Sequence, residues 1–298
     1  MLKMSRIIIR KIKKYSRNII DIFNKYISKF YNIIFSLPFL EKPLPKKPFG
    51  KKPQKIKNDY LKLHNQAISK SYKKVDLFEK KLNYKIKRDW FNDLCLITQT
   101  CIKNSDLNFN HGRILYSLVS KYIEENIKNE NKNLTILETG TARGFSSICL
   151  SKAINDQNIK GKVITIDCIS HNEKMFWNCI KDFEGERSRE ELLSQWQEEL
   201  NNIVFVQGWT TDTLNKIGIN RINFAFLDAQ HSKKSVIEEF QFIYARQITG
   251  DMIFFDDVTP DIFPGVCEAV NEIELNYPYK IEKLNFDKSR GYAIATHT

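Results

Sequence analysis

The stretch LTILETGTARGFSSICL, residues 134–150, runs from an apolar segment through an acid, Glu138, and two glycines, Gly140 and Gly144, into a second apolar segment. Leu134–Glu138 reads as a buried strand and the residues after Gly144 as a helix. Glycine lets a backbone turn sharply and approach a ligand without a Cβ clash. Free amides at the start of the following helix favour anionic or polar ligand atoms. The spacing excludes two familiar phosphate-binding turns. Gly140 is followed by Thr141, Ala142 and Arg143, not by the second glycine of a GxGxxG fingerprint, and no Gly-Lys-Ser/Thr follows as in a P-loop. An acid ahead of a GxxxG turn suits a ligand with a cationic ammonium head. A tight strand–helix turn without a ligand is the alternative.

Outward from that turn, short β-rich runs alternate with helical ones. Strands are expected at Leu134–Glu138, Val163–Asp167, Ile203–Gln207, Ile222–Asp228, Met252–Asp256, Tyr279–Asn285 and Tyr292–Thr296, with helices after Gly144, Glu190, His231 and Pro264. Apolar strands alternating with helices imply a parallel sheet covered on both faces. Only FDKSRG separates the last two strands, so they are expected to form an antiparallel hairpin. The predicted fold class is α/β: a seven-stranded, mostly parallel sheet with helices on both faces and a helical extension before it.

Ligands of open α/β sheets bind beyond the carboxyl ends of the strands, and this chain concentrates its polar residues there. Asp167 ends the second strand in VITIDCI, where a carboxylate can accept hydrogen bonds from ribose hydroxyls; a helix cap is the competing role. After the third strand, QGWTTDTL offers Gly208, Thr210 and Asp212 to an adenine edge, with Trp209 beside them, or else forms a plain loop and N-cap. The fourth and fifth strands end in FLDAQH and FFDDVTP, so Asp228, Asp256 and Asp257 are expected to converge. Carboxylates packed together raise one another's pKa unless a positive charge joins them. An all-oxygen set suits a hard cation such as Mg2+, which can hold two substrate oxygens and acidify one. Helix capping is the alternative for the aspartates. His231, three residues after Asp228, is a candidate general base for a hydroxyl proton, or a helix-start residue bonded to loop backbone.

With those residues in place, residues 134–298 resemble the class I S-adenosylmethionine-dependent methyltransferases, whose fold is Rossmann-like. The LDAQH and FFDDVTP pair resembles the metal-dependent small-molecule O-methyltransferase branch, which includes the catechol and macrocin enzymes. The resemblance implies that Glu138, Gly140, Thr141 and Gly144 line the methionine part of S-adenosylmethionine and that Asp167 holds the ribose. It implies that Asp228, Asp256 and Asp257 bind the metal, with Asp228 and His231 at the reaction. Catechol-type enzymes carry lysine where His231 stands and asparagine where Asp257 stands. The implied activity is O-methylation of a small-molecule or sugar or glycan hydroxyl.

The rest of the chain bears on partners. The stretch Ile169–Asn201 is long for a crossover, and its His171, Trp177, Arg187 and Arg189 are candidates to cover a substrate; for most of its charged residues a solvated helix face is expected. Residues 58–133 read as helices, with Asn110-His111-Gly112 interrupting the pattern as a turn or closing the far side of the site. Residues 1–57 hold 16 Lys or Arg against only Asp21 and Glu41, a surplus of 14, so the remainder of this +12 chain carries −2. Residues 1–40 mix Ile, Phe and Lys at helical spacing, and five of the eight prolines fall between Pro38 and Pro53. We read an amphipathic arm followed by an extended linker, with a boundary near residue 57. The arm is suited to an anionic membrane surface, which leaves the protein cytoplasmic and peripheral; packing on its own domain or on a second copy competes. Nucleic acid is disfavoured, since no nucleic-acid-binding motif accompanies the charge. The enzyme readings that remain are small-molecule O-methylation and nucleic-acid methylation through the basic arm; a membrane-associated module that binds S-adenosylmethionine without turnover is a third reading. Six scattered cysteines without a CxxC pair are expected to be free thiols.

Overall fold

The computed structural model describes residues 42–128, 133–285 and 290–298, and residues 44–298 form one compact unit. The amphipathic arm at residues 1–40 and residues 286–289, the FDKS of the FDKSRG turn, lie outside the described residues.

Four helices come first: α1 (Lys57–Ser69), α2 (Lys73–Leu82), α3 (Arg88–Thr98) and α4 (Asn110–Asn126). The alternation that follows is β1 (Leu134–Thr139), α5 (Phe145–Asp156), β2 (Gly161–Asp167), short helices α6 (Arg189–Leu192) and α7 (Gln197–Leu200), β3 (Ile203–Gln207), α8 (Thr210–Leu214), β4 (Phe224–Leu227), α9 (Lys233–Tyr244), β5 (Met252–Phe255), α10 (Pro264–Asn276), β6 (Tyr279–Asn285) and β7 (Gly291–His297). The strands assemble in the order β3-β2-β1-β4-β5-β7-β6, and β7 runs antiparallel to both neighbours. The expected sheet and hairpin are both present.

Alternation along β1 explains the two faces. Ile136 belongs to the hydrophobic cluster that holds α1, α3, α4 and α5, whereas Leu137 belongs to the cluster with α9 and α10. Glu138 therefore points to the α4–α5 side and Thr139 to α9, because strand side chains alternate. Strand order reverses between β1 and β4, so their carboxyl ends open the crevice in which sheets of this type bind ligands.

Asn110, His111 and Gly112 do not interrupt a helix; they are the first turn of α4, and all three are buried. Gly112 is what permits this. A Cβ there would stand 2.5 Å from Phe145 Cζ and 3.0 Å from Cys149 Sγ, so the missing side chain lets α4 press on α5. Outside the sheet, Arg113 on α4 donates through Nε and Nη2 to Glu79 on α2, at 3.0 and 2.6 Å, and Arg88 reaches the same carboxylate at 2.6 Å. All six cysteines are free thiols.

Candidate active site

The β1–α5 turn is held from inside. Gly140 and Gly144 have φ of +91° and +86°. A Cβ on Gly140 would lie 2.1 Å from the backbone oxygen of Asp228, and one on Gly144 2.6 Å from Leu193 Cδ1. The two glycines thus serve close packing of β1 on β4 and of the turn on the insert. Their room belongs to the protein's own atoms. Ala142 also takes a left-handed φ, +44°, which costs a residue with a side chain roughly 1–2 kcal/mol.

Glu138 is fully buried under this turn. Its Oε2 accepts from Ser147 Oγ on α5 and, at 2.5 Å, from Thr165 Oγ1 on β2. Thr141 Oγ1, 2.5 Å from Thr165 Oγ1, then donates to it. Glu138 Oε1, buried as well, makes no hydrogen bond of good geometry, although the nearby Ser146 hydroxyl also acts on the carboxyl. Burial pushes the carboxyl pKa up, offset by the hydroxyl donors. A buried carboxylate oxygen without a partner is costly. Asp167 accepts from the amides of Ala142 and Ile169, both at 2.6 Å. Each of its oxygens keeps lone-pair capacity beyond the one backbone bond. Gly208 joins this corner through its amide, which donates to Asp167 O at 2.9 Å, while Asp212 lies exposed in the first turn of α8.

Arg189 is a residue whose part the sequence reading missed. It is 2% exposed, in contrast to the solvated face expected for this stretch. Its Nε donates to Ala142 O at 2.8 Å and its Nη2 to Ile169 O at 3.2 Å, and its guanidinium flanks Trp177 and Phe205. One side chain thereby ties the glycine turn to the end of β2. The local signal was the Ser188–Glu191 capping box, which starts α6 and fixes Arg189 at its first position. His171 stacks on Phe205 at 3.9 Å, and Arg143 donates to Trp177 O while lying over Phe49 at 4.2 Å.

The acidic end of the crevice gathers differently from a plain aspartate trio. Ligand atoms of Asp228, His231 and Asp257 lie within 4.8 Å of one another. Asp256 turns instead toward its own chain: its Oδ1 accepts the Asp257 amide at 2.7 Å and stands 4.0 Å from Arg290. His231 Nε2 is 3.0 Å from Asp257 Oδ2, and its ring stacks on Phe263. Arg290 Nη1 donates to Asp257 Oδ1 at 2.9 Å. This cation was not foreseen, yet the hairpin register announces it: Phe255 pairs with Ala293, so the residues just before β7 must lie beside Asp256 and Asp257. Burial, then the neighbouring carboxylates, push Asp256 up to about 7 and Asp228 well above the carboxylate range, while Arg290 pulls both down. His111 lies within electrostatic reach of Arg290 and Asp257, and burial drives its pKa down to about 3.

The two-oxygen, one-nitrogen set of Asp228, His231 and Asp257 fits a divalent cation. Asp228 has no ion-pair partner among the described residues, so its buried carboxyl, pushed toward the protonated form, would gain its missing counter-charge from such an ion.

Residues 137–258 match a family model described as a methyltransferase domain. An uncharacterized protein of Acanthamoeba polyphaga mimivirus is 30% identical over 174 residues, which are 54% of this chain and 72% of that protein. Among solved structures, the cofactor-bound MTB protein Rv0187 aligns with a TM-score of 0.50 at 16% identity, over 71% of this chain and 90% of that one. The SAH-bound methyltransferase PaMTH1 of Podospora anserina aligns with a TM-score of 0.50 at 12% identity, over 76% and 94%. At such identities the two structures show a common fold.

Proposed function

This chain is an S-adenosylmethionine-dependent methyltransferase, of one family with the mimivirus protein, and on that premise we propose that it methylates a hydroxyl oxygen of a small molecule, a sugar or a glycan precursor. The observation that carries the reading is the pairing, in one crevice, of a buried orphan carboxylate oxygen on Glu138 with the Asp228–His231–Asp257 cluster at the neighbouring strand ends.

Glu138 would hold the ammonium of the methionine part, and Asp167 would accept from the ribose. When bound, S-adenosylmethionine supplies an electrophilic methyl group, and a divalent ion held by Asp228, His231 and Asp257 supplies charge that favours the ionised acceptor. The residues do the rest. Asp257 fixes the His231 ring, Phe263 supports its face, and Arg290 balances the carboxylates so that Asp257 stays available. Where no ion is held, the His231 ring, its Nε2 on Asp257, and the Asp228 carboxyl, whose pKa burial raises, are the groups placed to hold or move the acceptor proton. The chemical gain is chiefly alignment of acceptor and donor in a fixed frame. The expected metal trio of Asp228, Asp256 and Asp257 is refined here by exchanging Asp256 for His231.

The test is incubation of the full chain with methyl-labelled S-adenosylmethionine and cell extract, followed by identification of the labelled product, alongside calorimetric titration with S-adenosylhomocysteine. An O-methyl ether on a small molecule is expected. Label on nucleic acid, or tight S-adenosylhomocysteine binding with no transfer to any fraction, overturns the proposal.

A further inference from the structure

We propose that a pocket next to the acidic cluster is a subsite for an anionic group, a phosphate or carboxylate carried by the methyl acceptor; the inference rests on reading the Asp228–His231–Asp257 cluster as the acceptor end of the site. The pocket has a volume of about 390 Å³ and is walled by Lys74 of α2, the Val258–Asp261 loop after β5, and Asn285, Arg290 and Gly291 of the terminal hairpin. That size falls within the range of small-ligand sites, roughly 300–1,000 Å³.

Arg290 belongs to both spaces. Its Nη1 donates to Asp257 at the cluster, and the same residue lines the pocket. A molecule held in the pocket is therefore next to the groups that would take its hydroxyl proton. Lys74 also lines the pocket. Its Nζ donates to Asn285 O at 3.0 Å, and it has no carboxylate partner among the described residues. Two of the three hydrogens of that ammonium remain to be used. Thr259 Oγ1 accepts the Gly291 amide at 3.1 Å, which leaves the hydroxyl proton of this buried residue to donate. The one acid in the lining among the described residues, Asp261, is exposed. Lys74, the Thr259 hydroxyl and Arg290, whose guanidinium is shared with Asp257, line one cavity and together suit an oxyanion. Val258 and Pro260 are apolar residues of the lining, which suits an anion attached to an organic body.

The experiment uses the full chain at fixed ionic strength. Inorganic phosphate, lactate and neutral glycerol are titrated by calorimetry or by ligand NMR, on the parent protein and on Lys74→Met, with S-adenosylhomocysteine titrated into both. We expect phosphate or lactate to bind and glycerol not to, the stronger of the two anions naming the group. Lys74→Met should weaken the anion at least fivefold and leave S-adenosylhomocysteine within twofold. Equal anion binding by the variant, binding of glycerol as strong as that of the anions, or no anion binding at all overturns the inference. Failure of S-adenosylhomocysteine to bind the parent protein counts instead against the methyltransfer reading, and the anion titration stands apart from it.

Discussion

Removing Arg189 tests whether one side chain, remote from the reacting groups, holds the cofactor turn in shape. Arg189→Met keeps the unbranched stem and the volume but deletes two charge-assisted bonds, at 2.8 and 3.2 Å, to the carbonyls of Ala142 and Ile169. Bonds of this kind contribute about 1.5–3 kcal/mol each, the longer one near the lower end. Loss of the contacts with Trp177 and Phe205, at 5.6 and 5.7 Å, removes roughly another 0.5–1 kcal/mol. The desolvation that depresses the pKa of this buried guanidinium acts in the other direction, and methionine escapes it. The net expectation is a destabilisation of about 2–4 kcal/mol in urea or guanidinium unfolding. Because Ala142 follows Thr141 within the turn and its amide serves Asp167, S-adenosylhomocysteine should bind about tenfold more weakly, or roughly 1.4 kcal/mol. Arg189→Lys should recover only part of both effects, since a single ammonium cannot reproduce the planar fork that spans two carbonyls. A methionine variant within about 0.5 kcal/mol of the parent and with undiminished S-adenosylhomocysteine affinity would refute the argument.

Other positions make equally definite demands. Gly140→Ala forces a Cβ to 2.1 Å from Asp228 O at φ +91°, so a loss of more than about 3 kcal/mol or failure to fold is expected, whereas Ala142→Gly relieves a left-handed alanine and should cost nothing or stabilise by up to about 1 kcal/mol; melting curves of the pair decide it. Glu239 is buried on α9, accepts from Thr139 at 2.7 Å, and has its pKa pushed up by burial to about 8. Its folded pKa lies above the unfolded value, so the folded state binds the extra proton between about pH 4.5 and 8 and stability falls as pH rises through that window. Glu239→Gln should flatten this slope, and an unchanged stability–pH profile would exclude the linkage. His231→Ala and Asp228→Asn should each lower methyl transfer by about a hundredfold or more, in keeping with loss of a general base, with S-adenosylhomocysteine affinity kept within threefold; a matching loss of affinity would mean that they act by holding the crevice together.

Much of the architecture was legible because the signals are local. Every strand expected from apolar runs is present, and Ile203–Gln207 and Tyr279–Asn285 agree to the residue. The hairpin followed from the short connection between two β-rich runs. The acids at the strand ends were legible because the fold places carboxyl ends together. What escaped the sequence depends on side chains meeting across long separations. Arg290 approaches Asp257 from 33 residues away, and Arg189 meets Ala142 across 47. Neither pairing leaves a periodic trace. The Asn110–Gly112 turn was misread because glycine usually interrupts a helix; here Phe145 fills the space that a side chain would need.

The placement of β7 has a consequence for the order in which this protein can become active. That strand is interior to the sheet, yet it follows β1 by about 150 residues, and it brings Arg290 to a corner whose three acids belong to the fourth and fifth strand ends. During synthesis the acids emerge first and their counter-charge afterwards. Until the hairpin docks, the nascent corner holds mutually repelling carboxylates and the open edge of β5, and neither favours a competent crevice. The crevice thus takes its final charge balance only when the last hairpin has docked.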